Sequence, residues 1–362
     1  METHLEGLCR HLSAHAHVDV LVSAHERNTS HEVRDGVPVT RAGTVATIRS
    51  APLCPDLRGL IRSSTADVVH LHHPNPSAFL SYLISGHRGR LIVTYHSDVV
   101  QQRLLNIVYE PIVRAVLRRA DAIIVSSQEY MDSSPMLERY HDRCAVIPMA
   151  IEPERFAHAD SVAVAEIRRS YGERIVLAVG RLVYYKGLEY LVRAMQDVRG
   201  HALIIGQGPM RASLLAEVTA SQVADRVTLL GHVPDPVPYY HAARVFALPS
   251  HLRSEAFGIV QLEAMAAGLP VVNARIPSGV PGVSVDGVTG LTVPPADPGA
   301  LAAAINALLD DPARAARLGD AGKRRVTEHY SLAGMTERTL ALYRQVLSGE
   351  GPRSRRRARG RA

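Results

Sequence analysis

The stretch Ser254-Glu-Ala-Phe-Gly-Ile-Val-Gln-Leu-Glu-Ala-Met-Ala-Ala267 reads as a helix that opens with a glycine-bearing turn and carries two acids, Glu255 and Glu263, eight positions apart. Glu255 is expected just ahead of the regular helix and Glu263 about two turns inside it, so that both face one ligand lying across the helix start. Unpaired backbone N–H groups around Phe257, Gly258 and Ile259 would point at that ligand, and a helix N-terminus favours negative charge by roughly 0.3–1 kcal/mol. A diphosphate suits that end. Carboxylates are poor charge partners for phosphate, so the two acids are read as acceptors of hydrogen bonds from sugar hydroxyls, and the ligand as a nucleotide sugar. The plainer alternative is an amphipathic helix with two solvated acids, and the rest of the chain has to decide between the two.

A second stretch, Val176-Leu-Ala-Val-Gly-Arg-Leu-Val-Tyr-Tyr-Lys-Gly-Leu-Glu-Tyr-Leu-Val192, is an apolar run ending at Gly180, followed by Arg181, Lys186 and a helical pattern. It reads as strand, basic loop, helix. In open parallel sheets the loops after the carboxyl ends of strands line the ligand crevice, which puts Arg181 and Lys186 where phosphate charge collects. A planar guanidinium fork and a compact ammonium together would neutralise a leaving diphosphate. A further unit, Ala202-Leu-Ile-Ile-Gly-Gln-Gly-Pro209, runs from a strand into a turn at Gly206 and Gly208.

In this order, Gly180-Arg181 with Lys186-Gly187, Gly206-Gln207-Gly208-Pro209 and the Glu255 to Glu263 pair resemble the retaining glycosyltransferases of family four, and the resemblance covers nearly the whole chain. It implies an α/β fold of the GT-B type, two facing Rossmann-like domains with parallel sheets. It also implies that Arg181 and Lys186 bind the donor diphosphate, that Glu255 holds donor-sugar hydroxyls and Glu263 the ribose, that Ile259 and Val260 lie along the nucleotide, and that Val233 is near the base. No cofactor and no metal are called for; the donor is a GDP- or UDP-sugar.

At 362 residues the chain exceeds the size at which one core stops growing, so two domains are expected. A hydrophobic content of 46% suffices for both. The apolar runs are far shorter than the 18 or so residues that span a bilayer, which points to a soluble or peripheral protein. Cys9, Cys54 and Cys144 lack metal spacing, suit a reducing cytoplasm and are expected as small core residues. The net charge of +6 resides in one place. The tail from Gly351 to Ala362 holds six of the 41 basic residues, leaving 35 against 35 acids in the body. The body is therefore neutral, and a nucleic-acid-binding reading rests on this tail alone, which is expected to be disordered.

Strand-like runs at 18–22, 68–71, 91–94, 122–125 and 145–147 alternate with helical segments, and a second series follows at 176–179, 203–205, 227–229, 245–248, 271–272 and 288–293. The alternation implies parallel sheets. The proline-bearing segment from Ile147 to Phe156 is the expected linker. This gives an acceptor-side domain over 1–149, a nucleotide-sugar domain over 150–330, a crossover helix over 331–350 and the tail over 351–362. The opening, Met1 to Leu12, is read as a helix with a stripe at Leu5, Leu8, Cys9 and Leu12. Similar proteins place a strand and a glycine-rich loop before it; a start assigned too late and a truncated, weakened protein both account for their absence.

In the first domain, His96 follows the strand-like Leu91-Ile-Val-Thr-Tyr and matches a family histidine close to the transferred sugar. Tyr95, Ser97 and Asp98 are expected around it. His70, His72 and His73 share a strand but have no accompanying carboxylate or cysteine cluster, so they are read as lining an acceptor cleft rather than a metal site. The segment 101–119 is a basic amphipathic helix, readable as packed on the core or as lying on an anionic membrane. The expected activity is retaining transfer of a hexosyl group, with a lean to GDP-mannose, onto a saccharide or polyprenyl-linked saccharide at the cytoplasmic face of the membrane, in cell-surface polysaccharide synthesis. The alternative is a non-catalytic or impaired nucleotide-sugar-binding protein.

Overall fold

The computed structural model describes residues 2–48, 51–98 and 103–352. The Arg-rich tail from Arg353 onward lies outside them, as do Gln101, Gln102 and the side chains of residues 103–108 in the basic helix. The chain divides into two units, Met1–Pro148 with Leu332–Ala362, and Met149–Ser331.

The second unit is a six-stranded, all-parallel sheet. Its order is Val227–Gly231, His201–Ile205, Ile175–Val179, Val245–Leu248, Val271–Ala274 and Gly290–Val293. Central strands buried on both faces must be apolar throughout, and here they are: Ile175 and Leu177 enter one core layer, while Val176 and Ala178 enter the other. The chain starts in the middle of the sheet at Ile175–Val179, builds two strands to one side, then returns to build three on the other. Strand order therefore reverses between Ile175–Val179 and Val245–Leu248. In such sheets this reversal opens a crevice between the loops that leave the two strands, here 180–187 and 249–259.

The first unit carries a four-stranded parallel sheet ordered Val68–His73, Arg90–Tyr95, Ala122–Val125 and Cys144–Val146. A separate three-stranded sheet is ordered Val20–Ser23, Val37–Ala42 and Ser30–Arg34. Its antiparallel hairpin turns at Asp35-Gly36, both residues having positive φ (48° and 80°). This hairpin is absent from the sequence reading, although Asp-Gly was its signal. The opening helix, Glu2–Ser13, buries Leu8 and Leu12 and packs on the final helix, Leu332–Leu347. Of the three cysteines, all free, only Cys54 is buried; the expectation of three core cysteines is corrected for Cys9 and Cys144. No described helix is long and apolar enough to cross a membrane.

Candidate functional site

The two loops at the reversal point are sewn together by their backbones. Gly187 adopts a left-handed conformation (φ +63°) and lies so close to the other loop that a Cβ would sit 2.2 Å from the Pro249 carbonyl. Beside it, the His251 amide donates to the Tyr185 carbonyl at 3.1 Å. This places Lys186 against the segment preceding the helix Val260–Ala266. Its ammonium meets Glu255 Oε2 at 2.6 Å, with both side chains only 11% exposed. The buried Ser250 hydroxyl donates to the same carboxylate oxygen at 3.1 Å. Arg181, on the same loop, is exposed and makes no ion pair among the described residues.

Gly180 and Gly206 explain why this corner tolerates no side chain. A Cβ on Gly206 (φ +145°) would lie 1.9 Å from the Gly180 carbonyl oxygen, and one on Gly180 (φ +146°) would press on the Lys186 side chain at 3.3 Å. The Gly180 amide donates to Ile205, the Leu182 amide to Gln207 and the Met210 amide to Leu182, so the turn around Gly206 and Gly208 is locked under the basic loop.

The sequence expectation for the acidic helix needs one correction. Residues 254–259 are not helical. Gly258 (φ +73°) breaks the chain, the helix begins at Val260, and Glu263 stands in its first turn instead of two turns in. Buried polar side chains hold this turn in place: Gln261 Nε2 donates to the Phe257 and Val280 carbonyls and its Oε1 accepts from Asn273 Nδ2. Asn273 in turn donates to Val280 and Ser284, and accepts from Thr292. The amides of Phe257, Gly258 and Ile259 make no backbone hydrogen bond among the described residues. They are three free donors beside the Lys186–Glu255 pair.

Glu263 is committed elsewhere. Its Oε2 accepts from the Tyr240 hydroxyl at 2.6 Å, and burial raises its pKa against the pull of Tyr240, Arg155 and Lys186. The Lys186 charge thus acts on Glu263 as well as on Glu255. Ile259 and Val260 are half-buried against the core, as is Val233. Tyr185 was not anticipated; burial, then the Glu255 charge, pushes its pKa up to about 12 against the opposing influence of Arg181. Ser250, Tyr240 and the Ser254 hydroxyl, which is buried with no partner among the described residues, were also missed. Ser250 had a usable signal: it lies two residues beyond the strand Val245–Leu248, on the crevice side.

The first unit holds a separate aromatic and imidazole cluster. His96 is 7% exposed and shares a 3.0 Å hydrogen bond between its Nε2 and His72 Nδ1; the two rings stack. His70 lies between the Tyr343 hydroxyl (2.6 Å) and Thr94 (2.7 Å), and burial lowers its pKa to about 3. His73 is 2% exposed, stacked on Tyr95, and lowered to about 4 by burial. Tyr95 is 2% exposed and donates to Asp98 at 2.7 Å. The expectation that His70, His72 and His73 line an acceptor cleft is corrected for His73, which is packed away beneath Tyr95, while His70 and His72 are half-buried. In the helix Arg103–Arg119, Val113, Val116 and Leu117 are buried and Arg114 pairs with Glu110, so its second half packs inward.

A doubly wound parallel sheet with a basic loop and an acid converging at its reversal point marks an α/β protein with a site suited to a phosphate-bearing ligand. Comparison places the chain more narrowly. The family described as glycosyl transferases group 1 matches residues 164–325, and the glycosyl transferase 4-like domain matches residues 1–150. The chain is 34% identical to the O-antigen chain mannosyltransferase C of Escherichia coli over 286 residues, 78% of this chain and 76% of the relative. It is 34% identical to the D-rhamnosyltransferase WbpZ of Pseudomonas aeruginosa, over 71% and 68%. It is also 32% identical to a GDP-mannose-dependent phosphatidylinositol monomannoside mannosyltransferase of Mycolicibacterium smegmatis, over 87% and 85%. Among solved structures, a sucrose-phosphate synthase from Thermosynechococcus elongatus aligns with a TM-score of 0.80 at 26% identity, over 96% of this chain and 93% of that one. Anabaena HepE with UDP-glucose shares the fold at 18% identity, over 94% and 95%, with a TM-score of 0.80. The chain belongs to the family-four glycosyltransferases.

Proposed function

We propose that this glycosyltransferase moves a mannosyl or closely related hexosyl group from a nucleoside diphosphate sugar, GDP-mannose before UDP-sugars, to a hydroxyl of a saccharide or lipid-linked saccharide in cell-surface polysaccharide synthesis, keeping the anomeric configuration. The observation that carries this reading is the buried Lys186–Glu255 pair set beside three free amides at the sheet's reversal point. An ammonium has three protons. One can stay on Glu255 while the others reach the diphosphate, with Arg181 supplying a second cation. As the bond from C1 to the diphosphate oxygen breaks, these groups and the amides of 257–259 stabilise the charge on the leaving group; removing one such donor costs about 2.7–4 kcal/mol. The new C1–oxygen bond forms on the same face, and the acceptor proton passes to the departing phosphate. Glu255 holds sugar hydroxyls, and no metal is required. The mannosyltransferase names of two relatives support the choice of sugar.

The test is a thermal-shift comparison of GDP-mannose, GDP, UDP-glucose and UDP, followed by product analysis with polyprenyl-linked saccharides. GDP-mannose should raise the unfolding temperature most, and NMR of the product should show the donor's anomeric configuration. A larger shift with UDP-glucose would move the assignment to UDP-sugars. Donor binding with neither transfer nor hydrolysis would identify a non-catalytic binding protein, and no shift with any nucleotide would overturn the reading.

A further inference from the structure

The first unit carries a second basic site, unrelated to the donor loops. The helix Asp56–Ser63 buries Leu57 and Ile61, which leaves Arg58 and Arg62, one turn apart, on its outward face. It packs against the helix Pro76–Ser85, whose inner face buries Phe79 and Tyr82. That second helix ends at Gly86 in a left-handed conformation (φ +74°), and the turn delivers His87 and Arg88 beside the first helix. The result is a cavity of about 640 Å³ whose lining includes Arg58, Arg62, Thr65, Ile84, His87 and Arg88, and no acid.

None of the three arginines makes an ion pair among the described residues, whereas nearby Arg90 pairs with Asp121. His87 Nε2 is buried with no hydrogen-bond partner among the described residues. Three uncompensated guanidiniums and an unsatisfied imidazole nitrogen around one hollow describe a site for an oxyanion, and guanidinium forks match phosphate geometry. Ile84, which belongs to the lining, and Leu80, one turn before it on the same helix, are 51% and 46% exposed. A soluble phosphate has no use for two exposed aliphatic side chains, and it would fill little of this volume. Both features are accounted for by a phosphate attached to an apolar body.

We propose that this cavity binds the phosphate of an anionic lipid at a membrane surface, with Leu80 and Ile84 seated at the acyl boundary. The site is independent of the transferase chemistry and of the basic helix at 103–119.

The experiment is flotation of the full-length protein with vesicles of phosphatidylglycerol or of phosphatidylcholine at low ionic strength. Wild type should float with the first and not the second. R58Q/R62Q/R88Q should weaken partition about a hundredfold, at roughly fivefold per cation, with an unchanged unfolding temperature because all three side chains are exposed. L80S/I84S should weaken partition about tenfold. The triple variant keeps the Arg-rich tail and the basic helix at 103–119, so flotation equal to wild type would move binding to one of those and overturn the proposal. Failure of wild type to float would do the same. Release by inorganic phosphate together with no effect of L80S/I84S would mean a free-phosphate site and would also refute it.

Discussion

Removing one member of the Lys186–Glu255 pair should cost far more than breaking a surface ion pair. At 2.6 Å and an effective dielectric of about 20, the attraction is about 6 kcal/mol before desolvation is subtracted. Burial of both side chains makes the orphaned charge the dominant cost, about 3–5 kcal/mol for truncating either partner. In Lys186→Met, Glu255 keeps only the Ser250 hydroxyl; in Glu255→Gln, Lys186 loses its sole charged partner among the described residues. Each single variant should therefore lower the unfolding temperature by about 10 °C, at roughly 2–4 °C per kcal/mol for a unit of this size. The double variant leaves no uncompensated charge and should lose less than the two singles together, by at least about 2 kcal/mol. Scanning calorimetry and urea titration of the four proteins measure that cycle. A coupling below about 0.5 kcal/mol, the value of a solvated pair, would refute the claim that these loops bury a mutually dependent charge pair.

Gly206→Ala should cost more than about 3 kcal/mol by urea unfolding, since its Cβ would meet the Gly180 carbonyl at 1.9 Å, whereas Gly59→Ala, in a helix with open space around it, should be neutral or stabilising by about 0.5–1 kcal/mol. Glu263 yields a pH prediction. Because burial raises its folded pKa above 4.5, the folded chain retains a proton that the unfolded chain releases, and this contribution to stability is complete at low pH and lost as pH rises through the folded value. The unfolding temperature of Glu263→Gln relative to wild type should therefore climb as pH rises above about 4.5; a difference that stays flat or falls would show that burial does not raise the pKa of this carboxyl.

The parallel α/β character of both units was legible because their central strands are uninterrupted runs such as Ile175–Val179, which only a sheet covered on both faces accommodates. The hairpin Ser30–Arg34 with Val37–Ala42 was not. Every residue of Ser30–Arg34 is exposed, so no buried face imposes an apolar alternation, and only the Asp35-Gly36 turn betrays it. The start of the acidic helix was misplaced for a different reason. The six residues before Val260 have the composition of a helix, but Gly258 and the buried amides of Gln261 and Asn273 impose another path. The partners of the site residues were hidden by distance along the chain: Tyr240 meets Glu263 from 23 residues away, and Lys186 reaches Glu255 across 69 positions. Likewise, the histidines at 70 and 73 read as cleft residues because the bond from Tyr343 to His70 spans 273 positions and the stack of Tyr95 on His73 crosses between two strands.

Asn273 sits on a strand behind the crevice, yet it dictates the shape of the surface in front. Through Gln261 it grips the Phe257 carbonyl, and through Val280 and Ser284 it anchors the chain that backs the turn. The three free amides are thus cast in a mould that has no slack, and efforts to retune sugar choice by altering residues 257–261 directly will work against it. Variation that leaves this mould intact has to enter from the rim, where the exposed side chain of Arg181 is not part of the casting.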